Sequence, residues 1–489
     1  MDSKSSAANE LKAEGNSLHQ MGSYRAAYQK YSEAIEEKPN DTLLAVLYAN
    51  RAASCIGMKE YLDAIHDGRQ VRNFLSDALQ RVTTFPNFQA VKLDPTYVKS
   101  WGRIGTAAQA LEAWDVARAA WKQGLSSLPA MALTPTQTVL KAQFEAGLKA
   151  ADVAESKFKT SIEYVAIDPR SVESLPWNRA YVLATQNRLE RGAVPSSGTV
   201  ILRAYYDFSE GVKTLRQMQV EEREGDVKKI TSSVSGLSNL TNGILVDSRV
   251  FYADSEFFDQ LQHQIHFEAS SYNAWGLVGA NKIIKEVPER LEKTGWGPVR
   301  RALSVTVRAW MMKGYVDSNM GASTGAVEFY KCIIDVLEWG RRTYPNIPTE
   351  DRGVIFEPSF VRGIRRLYIS AVVGLYVEKG TESGYGLDGI AQMARDLKTE
   401  TETSVRLESV ELLDYGFSAA FWIYPIAEAL SILGWYHMQV GFQHMDSTEE
   451  SSNKRSADEF LQSSQYYIQA AEKYPADDEN HPFFLAVAV

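Results

Sequence analysis

Cysteine is scarce in this 489-residue chain, which contains only Cys55 and Cys332. Two thiols so far apart in the sequence are too few for a disulfide framework or a cysteine-ligated zinc site. Both lie in apolar surroundings, Ala-Ala-Ser-Cys-Ile and Tyr-Lys-Cys-Ile-Ile, so we expect two buried free thiols. The low cysteine content therefore favours the reducing cytosol as the compartment.

Long hydrophobic runs are also missing. No run of about 20 uncharged apolar residues, the length that spans a membrane, occurs in the sequence. The closest candidate, 417–440, is interrupted by Pro425, Glu428 and His437, so we interpret it as a pair of core helices. The first ten residues carry no apolar segment of the secretory type. These absences predict a cytoplasmic protein without membrane insertion.

An excess of positive charge is lacking too, because 52 Lys and Arg stand against 61 Asp and Glu, a formal net charge of −9. Proteins that bind nucleic acids or anionic membranes usually need a basic face. Neither kind of partner is therefore expected. Hydrophobic residues make up 45% of the chain, as in ordinary globular proteins. The length suits two or three domains at about 150 residues each.

Common catalytic and metal-binding patterns do not stand out either. The chain has no Walker loop and no HExxH. Gly384-Tyr-Gly-Leu-Asp-Gly389 matches GxGxxG, but a helical pattern precedes it, so we interpret it as a turn between helices. His263 and His266 lie three apart without a third ligand and are interpreted as surface residues. We therefore expect no metal, no cofactor and no enzymatic activity.

A regular spacing of small and large apolar residues is present near the N-terminus. In a count that starts at Ala8, positions 8, 20 and 27 hold the small residues Gly15, Ala27 and Ala34. Positions 4, 11, 17 and 24 hold the large residues Leu11, Leu18, Tyr24 and Tyr31, and position 32 holds Pro39. Small residues let two antiparallel helices approach closely, and large ones fill the space between them. The spacing recurs from Val98, with Trp101, Ile104, Gly105, Ala108, Trp114, Ala117 and Trp121. It resembles the tetratricopeptide repeat (TPR), a helix pair of about 34 residues.

A second repeat lies between these two and is interrupted. It begins with Asn50, Ala52, Cys55, Tyr61 and Ala64, loses its register, and resumes at 90–95. Removing the 19 residues 71–89 restores an uninterrupted repeat. Two interpretations stay open: a genuine insertion into the second helix of the repeat, or a retained short intron. Sequencing the mature transcript would separate them.

Five polar residues on the first helices of the repeats suggest a function. Lys12 and Asn16 are four apart and therefore project from one helix face, as do Lys99 and Arg103. Asn50 lies in the second repeat, at the position that Arg103 occupies in the third. Lysine supplies a point charge, arginine a bidentate fork and asparagine both a donor and an acceptor, which together suit a peptide carboxylate. We call these five the clamp residues.

The surrounding segments are Leu-Lys-Ala-Glu-Gly-Asn at 11–16, Leu-Tyr-Ala-Asn-Arg-Ala-Ala at 47–53 and Tyr-Val-Lys-Ser-Trp-Gly-Arg at 97–103. They resemble the dicarboxylate-clamp TPR family, which includes the Hsp70/Hsp90 organising protein, the small glutamine-rich TPR co-chaperone and the TPR domain of protein phosphatase 5. The resemblance extends over roughly the first quarter of the chain. It implies that the clamp residues grip the terminal carboxylate and the last aspartate of the Glu-Glu-Val-Asp ending of Hsp70 or Hsp90.

The predicted fold class is all-α, a TPR superhelix followed by a larger helical-repeat domain with degenerate TPR-like pairs. We predict a capping helix at about Thr136 to Val153, a short strand at 199–204, and helix pairs at 305–314 with 326–337 and at 419–440 with 457–474. The predicted divisions are a flexible N-terminus 1–7, TPR repeats with the cap 8–154, a mixed loop and helix region 155–250, and helical repeats 251–489 containing a polar linker 446–456.

These features predict a non-enzymatic adaptor or co-chaperone. Its TPR groove would bind the C-terminal tail of Hsp90 or Hsp70, and its C-terminal helical region would contact a client or second protein. One alternative is a TPR scaffold that binds an unrelated peptide, which would tolerate substitution of Lys99 or Arg103. The other is an enzyme whose catalytic domain lies in 155–489, which a deep pocket with convergent titratable groups would favour.

Overall fold

The computed structural model describes residues 3–70, 97–130, 132–161, 173–185, 195–223, 227–276, 278–404, 415–445 and 450–489. Over these ranges the chain forms helices and one β-hairpin, which confirms the all-α fold class. The insertion predicted at 71–89 and the resumption of the repeat at 90–95 lie outside the described residues.

Helices of eight residues or more are numbered here in chain order. The first nine are α1 Ser3–Gln20, α2 Tyr24–Glu36, α3 Asp41–Gly57, α4 Tyr61–Gln70, α5 Val98–Ala110, α6 Trp114–Ser126, α7 Pro135–Ser161, α8 Pro176–Thr185 and α9 Ser197–Gln217. The hairpin β1 Gln219–Arg223 and β2 Val227–Thr231 follows. The remaining helices are α10 Gly236–Val246, α11 Phe257–Tyr272, α12 Ala280–Thr294, α13 Trp296–Asn319, α14 Ser323–Thr343, α15 Pro358–Lys379, α16 Leu387–Thr403, α17 Tyr424–Met445, α18 Glu450–Lys473 and α19 Asn480–Val487.

The N-terminal helices α1 to α7 pair as the repeat spacing predicts. A Cβ atom on Gly15 of α1 would lie 2.6 Å from the Tyr31 ring of α2, and one on Gly105 of α5 would lie 2.6 Å from the Trp121 ring of α6. The absent side chain is therefore what lets each aromatic ring fill the space between two helices. The predicted capping helix is α7, which extends several residues further than expected.

The chain forms two compact units, which do not follow the predicted domain divisions. The first contains 1–165, 272–306 and 319–339, and the second contains 166–271, 307–318 and 340–489. In the first unit, Asn281 of α12 donates hydrogen bonds to Asp63 and Glu60, at 2.8 and 2.9 Å. The carboxylate of Glu328 in α14 accepts from the Leu62 amide. Segments predicted to belong to the C-terminal domain thus pack with the TPR repeats.

The N-terminal segment expected to be flexible is helical from Ser3, and its flexibility stays a prediction. Two local predictions are wrong. The strand expected at 199–204 is part of α9, where Ser196 caps the helix and apolar residues at helical spacing, Val200, Ala204 and Phe208 among them, are buried. The polar linker 446–456 is helical from Glu450, and its last residue, Ser456, is buried with its hydroxyl donating to the Gly441 carbonyl at 2.9 Å.

Other local predictions are confirmed. Helices form where they were predicted at 305–314, in α13, and at 326–337, in α14. Helices α17 and α18 contain most of the pair predicted at 419–440 and 457–474, and they pack on each other. Gly384 has a left-handed φ of 85° and lies in the turn between α15 and α16, so the GxGxxG pattern is an inter-helix turn. Cys55 and Cys332 are buried free thiols.

One stretch among the described residues, Tyr415–Met445, is a helix long and apolar enough to cross a membrane by composition. Its most apolar window has a mean hydropathy of 1.4, and 67% of that window is buried inside the protein. A helix in the core of a protein meets the same criterion, and the sequence of 417–440 is interpreted as core helices.

Candidate peptide-binding groove

The two clamp asparagines contact each other directly. Asn16 lies on α1 and Asn50 on α3, and the Asn16 Oδ1 accepts a hydrogen bond from the Asn50 Nδ2 at 3.0 Å. The same oxygen accepts from the Tyr31 hydroxyl at 2.8 Å. Because its oxygen is already used twice, Asn16 can offer a ligand only its NH2 group, which forms no hydrogen bond with the described residues. The groove wall between the first two repeats is therefore held by a fixed amide pair.

Arg103 of α5 lies close enough to His19 of α1 for its charge to act on the imidazole. Burial lowers the pKa of His19, and the positive charge of Arg103 lowers it further. The His19 Nδ1 lies 3.2 Å from the Ser54 hydroxyl. Since His19 is three residues after Asn16 and Ser54 is four after Asn50, both lie on the helix faces that carry the asparagines. Helices α1 and α5 both pack on α3, the helix that carries Asn50.

Arg103 itself is half-buried, and burial lowers the pKa of its guanidinium. Lys99, one turn earlier on α5, is exposed, and Lys12, one turn before Asn16 on α1, donates to the Asn9 Oδ1 at 2.8 Å. Among the described residues no carboxylate pairs with any of these three cations. Their charges therefore remain available to an anion.

Arg51 of α3, next to Asn50, differs from these cations because it is paired within the protein. Its Nε and Nη2 each lie 2.7 Å from an oxygen of Asp67, and its Nη1 donates to Ser32 at 3.0 Å. Tyr28 and Tyr48 lie beside the guanidinium, each ring centroid 5.2 Å from its carbon. This pair is buried and neutralised, so Arg51 stabilises the repeat and is not available to a ligand.

Two residues of the groove were not singled out from the sequence. His19 could have been found, because it lies one turn beyond Asn16 on the same face. Tyr97 packs with Tyr48 against Ala45 and Ala49 of α3, and it carries no sequence pattern that marks it. Within the described part of the chain, Asn16 and Asn50 are the two clamp residues that contact each other directly. That all five clamp residues act on one ligand stays a prediction.

The most strongly perturbed carboxylates of the first unit lie outside the groove. Burial raises the pKa of Asp63 on α4 to about 7, and the charges of Asp67 and Glu60 add to the effect. Burial also raises the pKa of Glu328 well above its usual value. These groups join α4 to α12 and α14.

The sequence also contains GxSxG at Gly321-Ala-Ser-Thr-Gly325, a pattern that marks a nucleophilic serine when it joins a strand to a helix. Here it follows helix α13, Gly321 has a left-handed φ of 81°, and Ser323 starts α14. The required strand is absent at this position, so the pattern is a helix-to-helix turn. No group of three His, Cys, Asp or Glu side chains able to hold a metal occurs among the described residues.

Comparisons with known proteins find relatives of the N-terminal region. The chain is 28% identical over 152 residues to the heat shock protein sti1 homolog of Schizosaccharomyces pombe. It is 31% identical over 118 residues to the small glutamine-rich tetratricopeptide repeat-containing protein 2 of Saccharomyces cerevisiae, and 31% identical over 144 residues to the Hsp70-Hsp90 organizing protein of Triticum aestivum. These matches cover 31%, 24% and 29% of this chain, and 20%, 28% and 20% of the three relatives. The chain thus spans less than a third of each.

No protein-family model matches the chain. Among solved structures, yeast Tom70 aligns over 98% of this chain and 94% of its own, with 12% identity and a TM-score of 0.24. That score is too low to support a conclusion, so the fold class rests on the helices themselves. The similarity to TPR co-chaperones concerns the N-terminal region that carries the clamp residues.

Proposed function

We propose that this chain, whose N-terminal region is of the TPR co-chaperone kind, is a non-enzymatic cytoplasmic adaptor. Its groove on α1, α3 and α5 binds the acidic C-terminal tail of Hsp90 or Hsp70, and its C-terminal helices contact a client or second protein. One observation carries the proposal. Asn16 and Asn50 are hydrogen-bonded to each other, and the three clamp cations have no carboxylate partner among the described residues. The names of the relatives, one of them an Hsp70-Hsp90 organizing protein, support it.

A chain that ends in aspartate presents two carboxylates close together, on its main chain and on its last side chain. Arg103 supplies two parallel N–H donors for one carboxylate, and Lys99 and Lys12 supply charge. The NH2 group of Asn16 donates to a carboxylate or a peptide carbonyl. Since much of this attraction is electrostatic and the groove is open to water, binding weakens as salt is added.

Titration calorimetry with a peptide of the chaperone tail tests the proposal. We expect Lys99→Ala and Arg103→Ala each to weaken binding tenfold or more, about 1.4 kcal/mol. Lys122→Ala is the matched control, because Lys122 is exposed on α6, the second helix of its repeat. It should bind like the unchanged protein.

The same peptide with an amidated C-terminus separates a clamp from a general peptide groove. Loss of the terminal charge should weaken binding as strongly as loss of Arg103. Unchanged affinity of Lys99→Ala and Arg103→Ala, or equal binding of the free and amidated peptides, would overturn the proposal. A pulldown from cytosol with competing tail peptide then identifies the preferred chaperone.

A further inference from the structure

The second compact unit contains a groove that the proposed chaperone site does not use. Helices α16 and α18 both pack on α17, and between them lies a groove of about 360 Å³. Leu433 of α17 is buried and lines the bottom of this groove. The walls are polar: Arg395 and Lys398 on α16 face the groove from one side, and glutamines of α18 from the other. We call it the glutamine groove.

The glutamines are Gln462, Gln465 and Gln469. Their spacing of three and four puts all three on one helix face, along about 10 Å of α18 at 1.5 Å per residue. An extended peptide advances about 3.3 Å per residue, so the three amides match a stretch of about three peptide residues. Each amide can donate to a peptide carbonyl and accept from a peptide N–H. All three are exposed, and among the described residues none forms a hydrogen bond.

The charge of the glutamine groove is positive. No carboxylate of the described residues lines it. Arg395 is exposed, lies 5.7 Å from the centre of the Tyr436 ring, and pairs with no carboxylate of the described residues. Lys398 shares its charge with Glu402 one turn along α16, at 2.8 Å. At least one full positive charge is therefore available beside a row of peptide-like hydrogen-bonding groups.

A second cavity of the same unit lacks these features. It holds about 250 Å³ and is lined by Arg366 and Glu428. The Nε and Nη2 of Arg366 both donate to the Glu428 carboxylate and form an ion pair. Its cation is therefore neutralised within the protein, and most of its other lining residues are apolar. The glutamine groove is the better candidate for a ligand.

We propose that the glutamine groove binds an extended acidic peptide segment of a second protein. The three glutamines pair with the peptide main chain, and Arg395 and Lys398 pair with an aspartate or glutamate side chain. A free C-terminus is not required, because internal carboxylates satisfy the two cations. This distinguishes the segment from the tail proposed for the TPR groove and identifies what the C-terminal helices recognise.

The test uses the full chain with the substitutions Lys99→Ala and Arg103→Ala, so that the TPR groove does not contribute. The probe is a fluorescent ten-residue peptide of alternating Asp and Ser, acetylated and amidated at its ends, and binding is followed by fluorescence anisotropy. Adding Arg395→Ala should weaken binding tenfold or more, since a charged hydrogen bond is lost. Gln465→Ala should weaken it two- to tenfold, and added salt should reduce the effect of Arg395.

Two controls accompany these variants. Gln392→Ala alters an exposed glutamine of α16 outside the groove, and Arg455→Ala removes an exposed arginine of α18 outside it. Both should bind like the parent. The side chains of Arg395, Gln465, Gln392 and Arg455 are exposed, so circular dichroism of each variant should match that of the parent. The proposal is overturned if the acidic probe does not bind, if Arg395→Ala and Gln465→Ala bind like the controls, or if an alternating Lys and Ser peptide binds equally well.

Discussion

Asp63 offers a test of how the first compact unit holds together. The side chain is 6% exposed, accepts a hydrogen bond from Asn281, and lies so close to Gly279 that a Cβ there would be 2.4 Å from its carboxylate. Burial raises its pKa to about 7 from an ordinary 3.8. The charged groups around it are Asp67 of α4, Glu60 before that helix, Arg51 of α3 and Glu328 of α14.

The magnitude follows from the pKa difference. Because the folded state holds this proton more tightly than the unfolded chain, protonation stabilises the fold. The stabilisation is complete below about pH 3.8 and is lost as the pH rises to about 7. A shift of about three units at 1.36 kcal/mol each amounts to roughly 4 kcal/mol in all. Between pH 5 and pH 8 the group alone lowers the free energy of unfolding by roughly 2–3 kcal/mol.

Asp63→Asn keeps an oxygen for Asn281 and removes the ionisation. We expect the stability of this variant, relative to the unchanged protein, to rise by roughly 2–3 kcal/mol from pH 5 to pH 8. Hydrogen exchange of amides in α4 and α14, measured in the full chain, gives the local opening free energy of this unit. Other titrating groups are common to both proteins and largely cancel in the difference.

Asp115→Asn is the control, because Asp115 is exposed in the first turn of α6. Its effect on the opening free energy should be the same at pH 5 and pH 8. If the difference between Asp63→Asn and the unchanged protein does not vary with pH, or if it falls as pH rises, the reasoning about this buried carboxylate is refuted.

Two further predictions concern packing and thiol reactivity. Gly105→Ala places a methyl group against the Trp121 ring and should destabilise the fold by about 1–3 kcal/mol in thermal unfolding, whereas Gly374→Ala, with no atom near the new Cβ, should be neutral or slightly stabilising. Burial raises the pKa of the Cys55 and Cys332 thiols, so a thiol reagent at pH 8 should label both only after denaturation; rapid labelling of the folded chain would contradict this.

The spacing of residues along the chain predicted the packing correctly where the contacts form between two helices that are neighbours in sequence. Gly15 meets Tyr31 and Gly105 meets Trp121 within one repeat, so the two helices that touch are also neighbours in sequence. The residues predicted four apart on one face, Lys12 with Asn16 and Lys99 with Arg103, do lie on helices, and their common ligand stays a prediction. Spacing misled at 199–204, where the run Thr-Val-Ile-Leu-Arg-Ala suits a strand, but burial of one face continues at helical spacing to Leu215.

The sequence by itself determined the TPR helices, the residues that pack between them and the side chains on their first helices. Each of these depends on interactions within about 34 residues, which a periodic pattern records. Only the tertiary structure decided that 272–306 and 319–339 pack with the repeats, and that Glu328 meets the Leu62 amide 266 residues away. It likewise decided that three glutamines of α18 face Arg395 across α17. Such contacts depend on how whole helices pack, and no spacing along the chain encodes them.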